Sequence, residues 1–402
     1  MTLPHGWLLS TLGVECDKPQ YGWTASAKQT GEVKLLRTTD LTNGPLEWTT
    51  VPFCSEAPEE LEKYIVKPND LFISRAGSVG VSVLVENVED NTPAVFASYL
   101  IRIRAGKNLL PTFLSLYLQS PQYWQQIRDL SAGATLANIN APKIKSISIP
   151  VPPLGEQQGI VATLEDHLSR LDKALAEVES SISRLREARL SWLQAEMAHL
   201  YDEGSLVQLS EVAESRLGKM LDAAKNVGVS TPYLRNINVQ WGRIDCLDLD
   251  SAPMTQANLD ELGLQLGDLL VCEGGEPGRC AIWTESHQTL GLVAFQKALH
   301  RVRAKAGYST GFLALILEWH AKSGRLTPFI TGTTIKHLPQ EQLRKIPVPV
   351  IPLEQQRSLV AKYGTFIESQ ASIQSTLDKV KKQIRALKGS LLNLAFEGGL
   401  KD

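Results

Sequence analysis

Two glycine-bearing turns are the first places in this chain where chemistry could happen. Arg75-Ala76-Gly77-Ser78-Val79-Gly80 and Glu273-Gly274-Gly275-Glu276-Pro277-Gly278 each follow a strand-like run. Such a loop can cradle a phosphate through backbone N–H groups. Neither ends in Lys-Ser/Thr, and neither leads from a strand into a helix, so they are not P-loops. The default reading is a tight turn between strands.

Other reactive groupings are missing. The seven histidines are scattered, and His300 and His337 read as structural or surface groups. Cys16, Cys54, Cys246, Cys272 and Cys280 form no C-x-x-C pair and have no partnered histidine, which argues for reduced thiols and against structural zinc. There is no nuclease-like Asp…Glu-x-Lys cluster and no Asp/Asn-Pro-Pro-aromatic tetrapeptide of amino-methyltransferases. The expectation is a chain with no catalytic site, metal or cofactor of its own.

The elements that carry these turns are written twice. Leu36-Arg37-Thr38-Thr39-Asp40 answers to Leu234-Arg235-Asn236-Ile237-Asn238, and Asp70-Leu71 to Asp268-Leu269, at an offset of 198. Phe96–Ala105 echoes Phe295–Ala304 at 199, as Phe113 echoes Phe312 and Gly133 echoes Gly332. Pro153-Leu154-Gly155-Glu156-Gln157-Gln158 returns as Pro352-Leu353-Glu354-Gln355-Gln356, each opening a long periodic segment. Solenoid repeats run to about 20–50 residues, so this is a duplication of one domain-plus-helix unit.

In the first periodic segment Val161, Leu164, Leu168, Leu171, Leu175, Val178, Ile182 and Leu185 alternate spacings of three and four, an a/d heptad seam. In the second, Leu359, Tyr363, Phe366, Gln370, Ile373, Leu377, Val380, Ile384, Leu387, Leu391 and Leu394 do the same. About 40 helical residues make a rod of roughly 60 Å. Residues 151–203 sum to −5 and residues 351–402 to +3, so the simplest arrangement pairs the two helices antiparallel. Each globular half reads as mixed α/β, with strands at Leu71–Ser74, Val79–Val85 and Leu100–Arg104 and a helix near Phe113–Leu118.

At 402 residues the chain is long enough for two or more domains. Its net charge of −2 gives no bulk basicity, so nucleic-acid binding would need basic residues gathered on one face. The start, Met1 to Trp7, has no basic region followed by an apolar stretch and does not read as a signal peptide. The longest apolar run, Phe312–Leu317, is far too short to span a bilayer. A cytoplasmic location is expected.

The order domain, Pro-Leu-x-Glu-Gln-Gln helix, domain, Pro-Leu-Glu-Gln-Gln helix resembles the specificity subunit of type I restriction–modification systems. The entry Leu3-Pro4-His5-Gly6-Trp7, the segment Ser131-Ala132-Gly133-Ala134-Thr135 and the ending Leu394-Ala395-Phe396-Glu397-Gly398-Gly399-Leu400 carry the same resemblance. It covers essentially the whole chain. It implies an α+β fold: target recognition domains at 1–152 and 204–351, and helical spacers at 153–203 and 352–402 forming an antiparallel coiled coil with an internal pseudo-two-fold. It further implies a non-catalytic subunit reading a bipartite, asymmetric double-stranded DNA target. Two methyltransferase subunits, which bring S-adenosylmethionine, would dock around the helices, and a restriction/translocase subunit can join. A DNA-binding or coiled-coil adaptor subunit of another phage-defence complex is the alternative.

Base-reading and phosphate-positioning candidates follow from chemistry and repeat position. In the first domain they are Arg37, Arg75, Ser78, Thr135 and Lys143; in the second, Arg235, Arg279, Thr333, Thr334 and Lys336. Partner docking is expected along Leu164, Leu171, Leu185, Ile373, Val380 and Leu387. Positions that agree between copies, such as Arg37/Arg235 and Gly80/Gly278, would support the shared frame. Those that differ, Arg75/Glu273, Ser78/Glu276 and Asn138/His337, would set different sequence preferences.

Overall fold

The computed structural model describes residues 3–42, 46–88, 92–132, 138–202, 204–220 and 227–400. By packing, the chain divides into two units: residues 1–178 with 378–402, and residues 179–377. Each unit therefore holds one globular half, part of the helix Leu154–Asp202 and part of the helix Leu353–Phe396. The helices are cut by this division near their middles, so neither one belongs to a single domain.

The first unit contains β1 (Leu8–Thr11), β2 (Gln20–Tyr21), β3 (Ala27–Lys28), β4 (Lys34–Leu36), β5 (Phe53–Cys54), β6 (Leu71–Ser74), β7 (Ser82–Leu84), β8 (Ala94–Phe96), β9 (Leu100–Ile103) and β10 (Ser148–Val151). Strands β2-β9-β6-β7 form an antiparallel sheet, and β3-β5-β4-β8 a mixed one in which β4 and β8 run parallel. A small sheet of β1 and β10 sits at the domain's entry and exit. All four residues of β6 are buried because both faces of its sheet are covered. Leu71 and Ile73 pack with the helices, while Phe72 packs with Leu36 and Phe96.

The second unit repeats this plan. Its strands are β11 (Leu206–Gln208), β12 (Ala213–Leu217), β13 (Val229–Leu234), β14 (Val239–Gln240), β15 (Arg243–Ile244), β16 (Asp250–Met254), β17 (Leu269–Cys272), β18 (Cys280–Ile282), β19 (Ala294–Phe295), β20 (Leu299–Ala304) and β21 (Pro347–Pro349). The sheet β12-β20-β17-β18 matches β2-β9-β6-β7, and β11 pairs with β21 as β1 does with β10. The repeated aspartates lie at the start of the central strands. Asp70 and Asp268 are each 1% exposed and are held by Arg104 and Arg303 respectively. A buried carboxylate of this kind is tolerated because it is paired and also accepts a backbone N–H, from Lys67 in one copy and Gln265 in the other.

The repeated glutamine of the Pro-Leu motif joins each domain to its helix. Gln157, fully buried, accepts the N–H of Leu110 and donates to the carbonyls of Asn108 and Pro152, all at 2.8 Å. Gln356 accepts from Ser309 at 2.8 Å and donates to Ile351 at 2.8 Å and Gly307 at 3.3 Å. The repeat thus aligns Gln157 with Gln356, the offset of 199.

In the first unit the cluster around Phe113 and Tyr117 takes in Ile160, Leu164 and Leu168 of one helix and Leu392, Ala395 and Phe396 of the other. The Phe396 ring meets Phe113 and Tyr117 edge-on, with centroids 5.2 and 5.1 Å away. In the second unit Met197 stands at the position equivalent to Phe396 and is likewise buried, beside Leu193 and Leu200. Arg189 donates to Tyr363 at 2.8 Å, whereas Gln370 donates to the Leu185 carbonyl at 2.9 Å. Ascending one helix means descending the other, so the pair is antiparallel.

The heptad reading of the second helix needs one correction. Ile373, Leu387 and Leu394, read as seam positions, are 46%, 57% and 46% exposed. Gln374 and Lys388, one residue on, are half-buried, and Lys388 pairs with Asp172 of the first helix. An α-helix at 3.6 residues per turn drifts off a strict seven-residue stripe, which rotates these apolar side chains outward. Leu164 is fully buried in the first unit's core; Leu171, Leu185 and Val380 are half-buried.

Candidate nucleic-acid interface

In the first unit the glycine turn is held from three sides. The N–H of Arg75 donates to Tyr99 and its carbonyl accepts from Ile139, at 2.9 and 3.0 Å. Behind the turn, Gly80 has φ +87° and an added Cβ would lie 2.8 Å from Ile127. The Tyr123 hydroxyl donates to the Gly80 carbonyl at 2.8 Å, fixing the turn to the helix Pro121–Ser131. Gly77 and Ser78 stand exposed at its apex. The Arg75 guanidinium lies over the Tyr21 ring, 4.9 Å from the centroid, and its buried Nε has no partner among the described residues.

The remaining first-unit candidates are engaged differently. Arg37 closes a short turn: its N–H and guanidinium bind Asp40 at 2.7, 2.8 and 3.2 Å. Asp40 raises the Arg37 pKa, so the charge is permanent. Lys143 donates to the Leu130 carbonyl, satisfying a free acceptor near the end of the helix Pro121–Ser131. Thr135 lies outside the described residues.

The second unit builds the same frame from different side chains. Arg235 donates its N–H to Asn238 at 2.9 Å, and its guanidinium binds Asp248 and Asp250, both at 2.9 Å. At the turn, Glu276 accepts from Trp241 at 2.7 Å and Lys322 at 3.2 Å. Burial pushes the Glu276 carboxyl upward, but those hydrogen bonds and the cations Lys322 and Arg279 outweigh it, so the net shift is down. Arg279 donates to the Asn236 carbonyl at 2.8 Å, and its buried Nε lacks a partner among the described residues, as Arg75's does.

A loop projects beside this turn. Thr331 and His337 exchange backbone hydrogen bonds at 2.8 and 2.9 Å, while His337 Nδ1 lies 3.1 Å from Glu273. Thr333, Thr334 and Lys336 are all exposed between them, and so is Ile335, at 66%. Gly332, with φ +88°, makes the bend possible, because a Cβ there would fall 2.1 Å from the Ile335 carbonyl oxygen. The bridge between Gly274 and His337 repeats the one between Ala76 and Asn138. The structure thus brings Arg279, Thr333, Thr334 and Lys336 toward one turn, with Arg235 bracing the neighbouring segment. Sequence reasoning missed Tyr21 and Trp241, whose partners are 54 and 35 residues away and leave no local signal.

Among the described residues no group of three His, Cys, Asp or Glu could hold a metal ion. No helix among them is long and apolar enough to cross a membrane.

Comparison with known proteins agrees with this two-fold plan. The model of the type I restriction modification DNA specificity domain matches residues 17–180 and again 202–391. The specificity subunit of the type I restriction enzyme EcoKI from Escherichia coli (strain K12) is 24% identical over 434 residues, covering 99% of this chain and 90% of that one. The StySPI specificity subunit of Salmonella potsdam is 28% identical over 204 residues, 47% of this chain and 42% of its own. A solved chain of a type I R-M system, studied for complex assembly and conformational transition, superposes with a TM-score of 0.77 at 16% identity, each chain covered to 100%. The HsdS subunit from Thermoanaerobacter tengcongensis gives 0.54 at 17%, covering 100% of this chain and 99% of that one. These two likenesses show the fold. With both repeats matched over most of their length, the chain belongs to the type I restriction–modification DNA specificity family and is a non-catalytic specificity subunit.

Proposed function

We propose that each unit reads one half of a split, asymmetric DNA sequence, and that two adenine methyltransferase subunits dock around the long helices. The carrying observation is one backbone frame built twice with unlike side chains on it: Arg75 and Ser78 at the first turn, Glu273 and Glu276 at the second. Side chains at base edges specify, whereas shared backbone and cationic groups position. Arginine suits the guanine edge, and a carboxylate can accept from the cytosine amine, so the two turns favour different bases.

S-adenosylmethionine and any metal would belong to the partners, and a restriction/translocase subunit would join the same assembly. Adenine has to leave the stack for methylation, so this subunit must hold a duplex that is being distorted. Exposed Ile373, Leu387 and Leu394 offer apolar side chains to a docking partner. Exchange of residues 1–152 for another recognition domain tests the modular reading. One half-site should change and the other persist; a change in both, or in neither, would contradict it.

A further inference from the structure

We propose that the second unit also carries a phosphate-binding pocket, lined by Arg216, Arg301, Arg303, Lys305 and Arg344. The inference rests on the DNA-reading function above and adds an anchor at residues separate from the glycine turn. Strands β12 and β20 pair antiparallel, setting Arg216 opposite Arg301 and Glu214 opposite Arg303. Arg301 and Arg303, two residues apart on one strand, point to the same face. With Lys305 beyond the strand end and Arg344 from the helix Gln340–Arg344, they surround a cavity of about 440 Å³.

The cations outnumber the carboxylates around them, of which Glu214 lines the cavity itself. Asp268 takes Arg303, and Glu261 takes Arg216. Arg301 donates only to carbonyls, those of Glu261 at 2.9 Å and Gly263 at 3.3 Å, and forms no ion pair among the described residues. Lys305 likewise donates to the carbonyls of Ser210 and Glu211, at 2.9 and 3.2 Å. Arg344 binds Ser215 at 3.1 and 3.3 Å, with Glu341 only at 3.7 Å and largely in solvent. Burial foremost, then the charges of Arg303 and Arg216, lower the Arg301 pKa against the opposing pull of Asp268 and Glu214. An anion in the cavity would relieve that repulsion.

The first unit closes the equivalent place with its own atoms. Arg102, the repeat of Arg301, binds Asp70, the Gln20 side chain and the carbonyls of Ile65 and Lys63. By strand register the position equivalent to Gln20 is Arg216, which pairs with Glu261 and brings a further cation in place of the amide, and the position equivalent to Lys305 is Gly106. The arginine is shared by both copies, and in the second it faces a cavity with added cations. A phosphate group, with several oxygens to accept from guanidinium forks, is the chemistry that fits. It could come from the DNA backbone or from a free phosphate-bearing molecule.

The test compares the assembled complex carrying the intact chain with one carrying Lys305→Gln and Arg344→Gln, an exposed and a half-buried side chain of the lining. Affinity for a duplex containing the methylated target is measured across salt concentrations. Each lost phosphate contact should reduce the slope of log K against log salt by about 0.9, with the recognised sequence unchanged. Titration of inorganic phosphate into both chains supplies the second arm. Loss of phosphate binding with an unchanged salt slope would assign the pocket to a free ligand; loss of slope assigns it to the backbone. If neither moves, the pocket is not a phosphate site. Arg344→Lys should keep the slope, separating lost charge from lost folding. A complex with the intact chain that shows no sequence preference would overturn the DNA-reading function instead, while the phosphate titration would still judge the pocket.

Discussion

The buried side-chain amide of Gln157 accepts the backbone N–H of Leu110 at 2.8 Å, tying the start of the long helix to the domain that precedes it. Gln356 does the same for Ser309. This joint explains why a glutamine recurs four residues after the proline: at the first helical turn its amide can reach back to a domain loop and to the carbonyl before that proline.

Gln157→Leu would keep the volume and leave one N–H and two carbonyls without partners in a dry site. An unsatisfied buried group costs about 1–3 kcal/mol, so the urea midpoint of the purified chain should fall by a readily measured amount. Gln157→Glu should fall as well, since the carboxylate cannot donate to Asn108 and Pro152. An unchanged midpoint in both would mean that the joint is not holding the helix.

The outward apolar residues of the second helix should matter to assembly and not to folding. Leu387→Asp and Ile373→Asp change side chains that are 57% and 46% exposed, so thermal unfolding should shift little. Co-purification with methyltransferase subunits should drop sharply. Retained assembly in both variants would remove this face from the docking surface.

Acid should weaken the second unit first. His320 is held down to about 4, by burial foremost and also by the cation of Arg325. It is therefore neutral in the fold while an unfolded histidine takes up a proton near 6.5. Its stabilising contribution is intact above 6.5 and declines as pH falls toward 4, below which the slope from this group vanishes. His300, also buried and lowered, acts in the same direction. His320→Gln should flatten stability against pH between 4 and 6.5; an identical profile would exclude the residue as the source.

Much of this architecture is legible in the sequence, and the reasons are local. The offset of 198–199 reports the duplication because strands and glycine turns recur in the same order. The three–four alternation reports the helices. It does not report which apolar residues face the partner helix, since Ile373 and Leu387 satisfy the heptad count and still rotate outward. Nor does it reveal contacts made by strand pairing: Arg216, Arg301 and Arg344 are far apart in the chain and meet only through the register of β12 on β20 and the helix beside it. Lys143 is a DNA-contact candidate by residue type, yet its ammonium is engaged with the Leu130 carbonyl.

The glycine turn of the first unit and the loop between Thr331 and His337 in the second should be separable by mutation. Arg75→Ala should relax or change one half-site, and Thr334→Ala the other, each without touching the partner half. Sequencing of methylated positions after expression of each variant reads this directly. A change in the same half-site from both variants would contradict one half-site per unit.

Expression of this chain with its methyltransferase partner, followed by single-molecule mapping of N6-methyladenine in host DNA, shows whether the two units read two separate half-sites. A two-part motif with a fixed gap should appear, and should disappear when this chain is deleted. Methylation that persists unchanged without the chain, or a continuous motif with no gap, would contradict that reading.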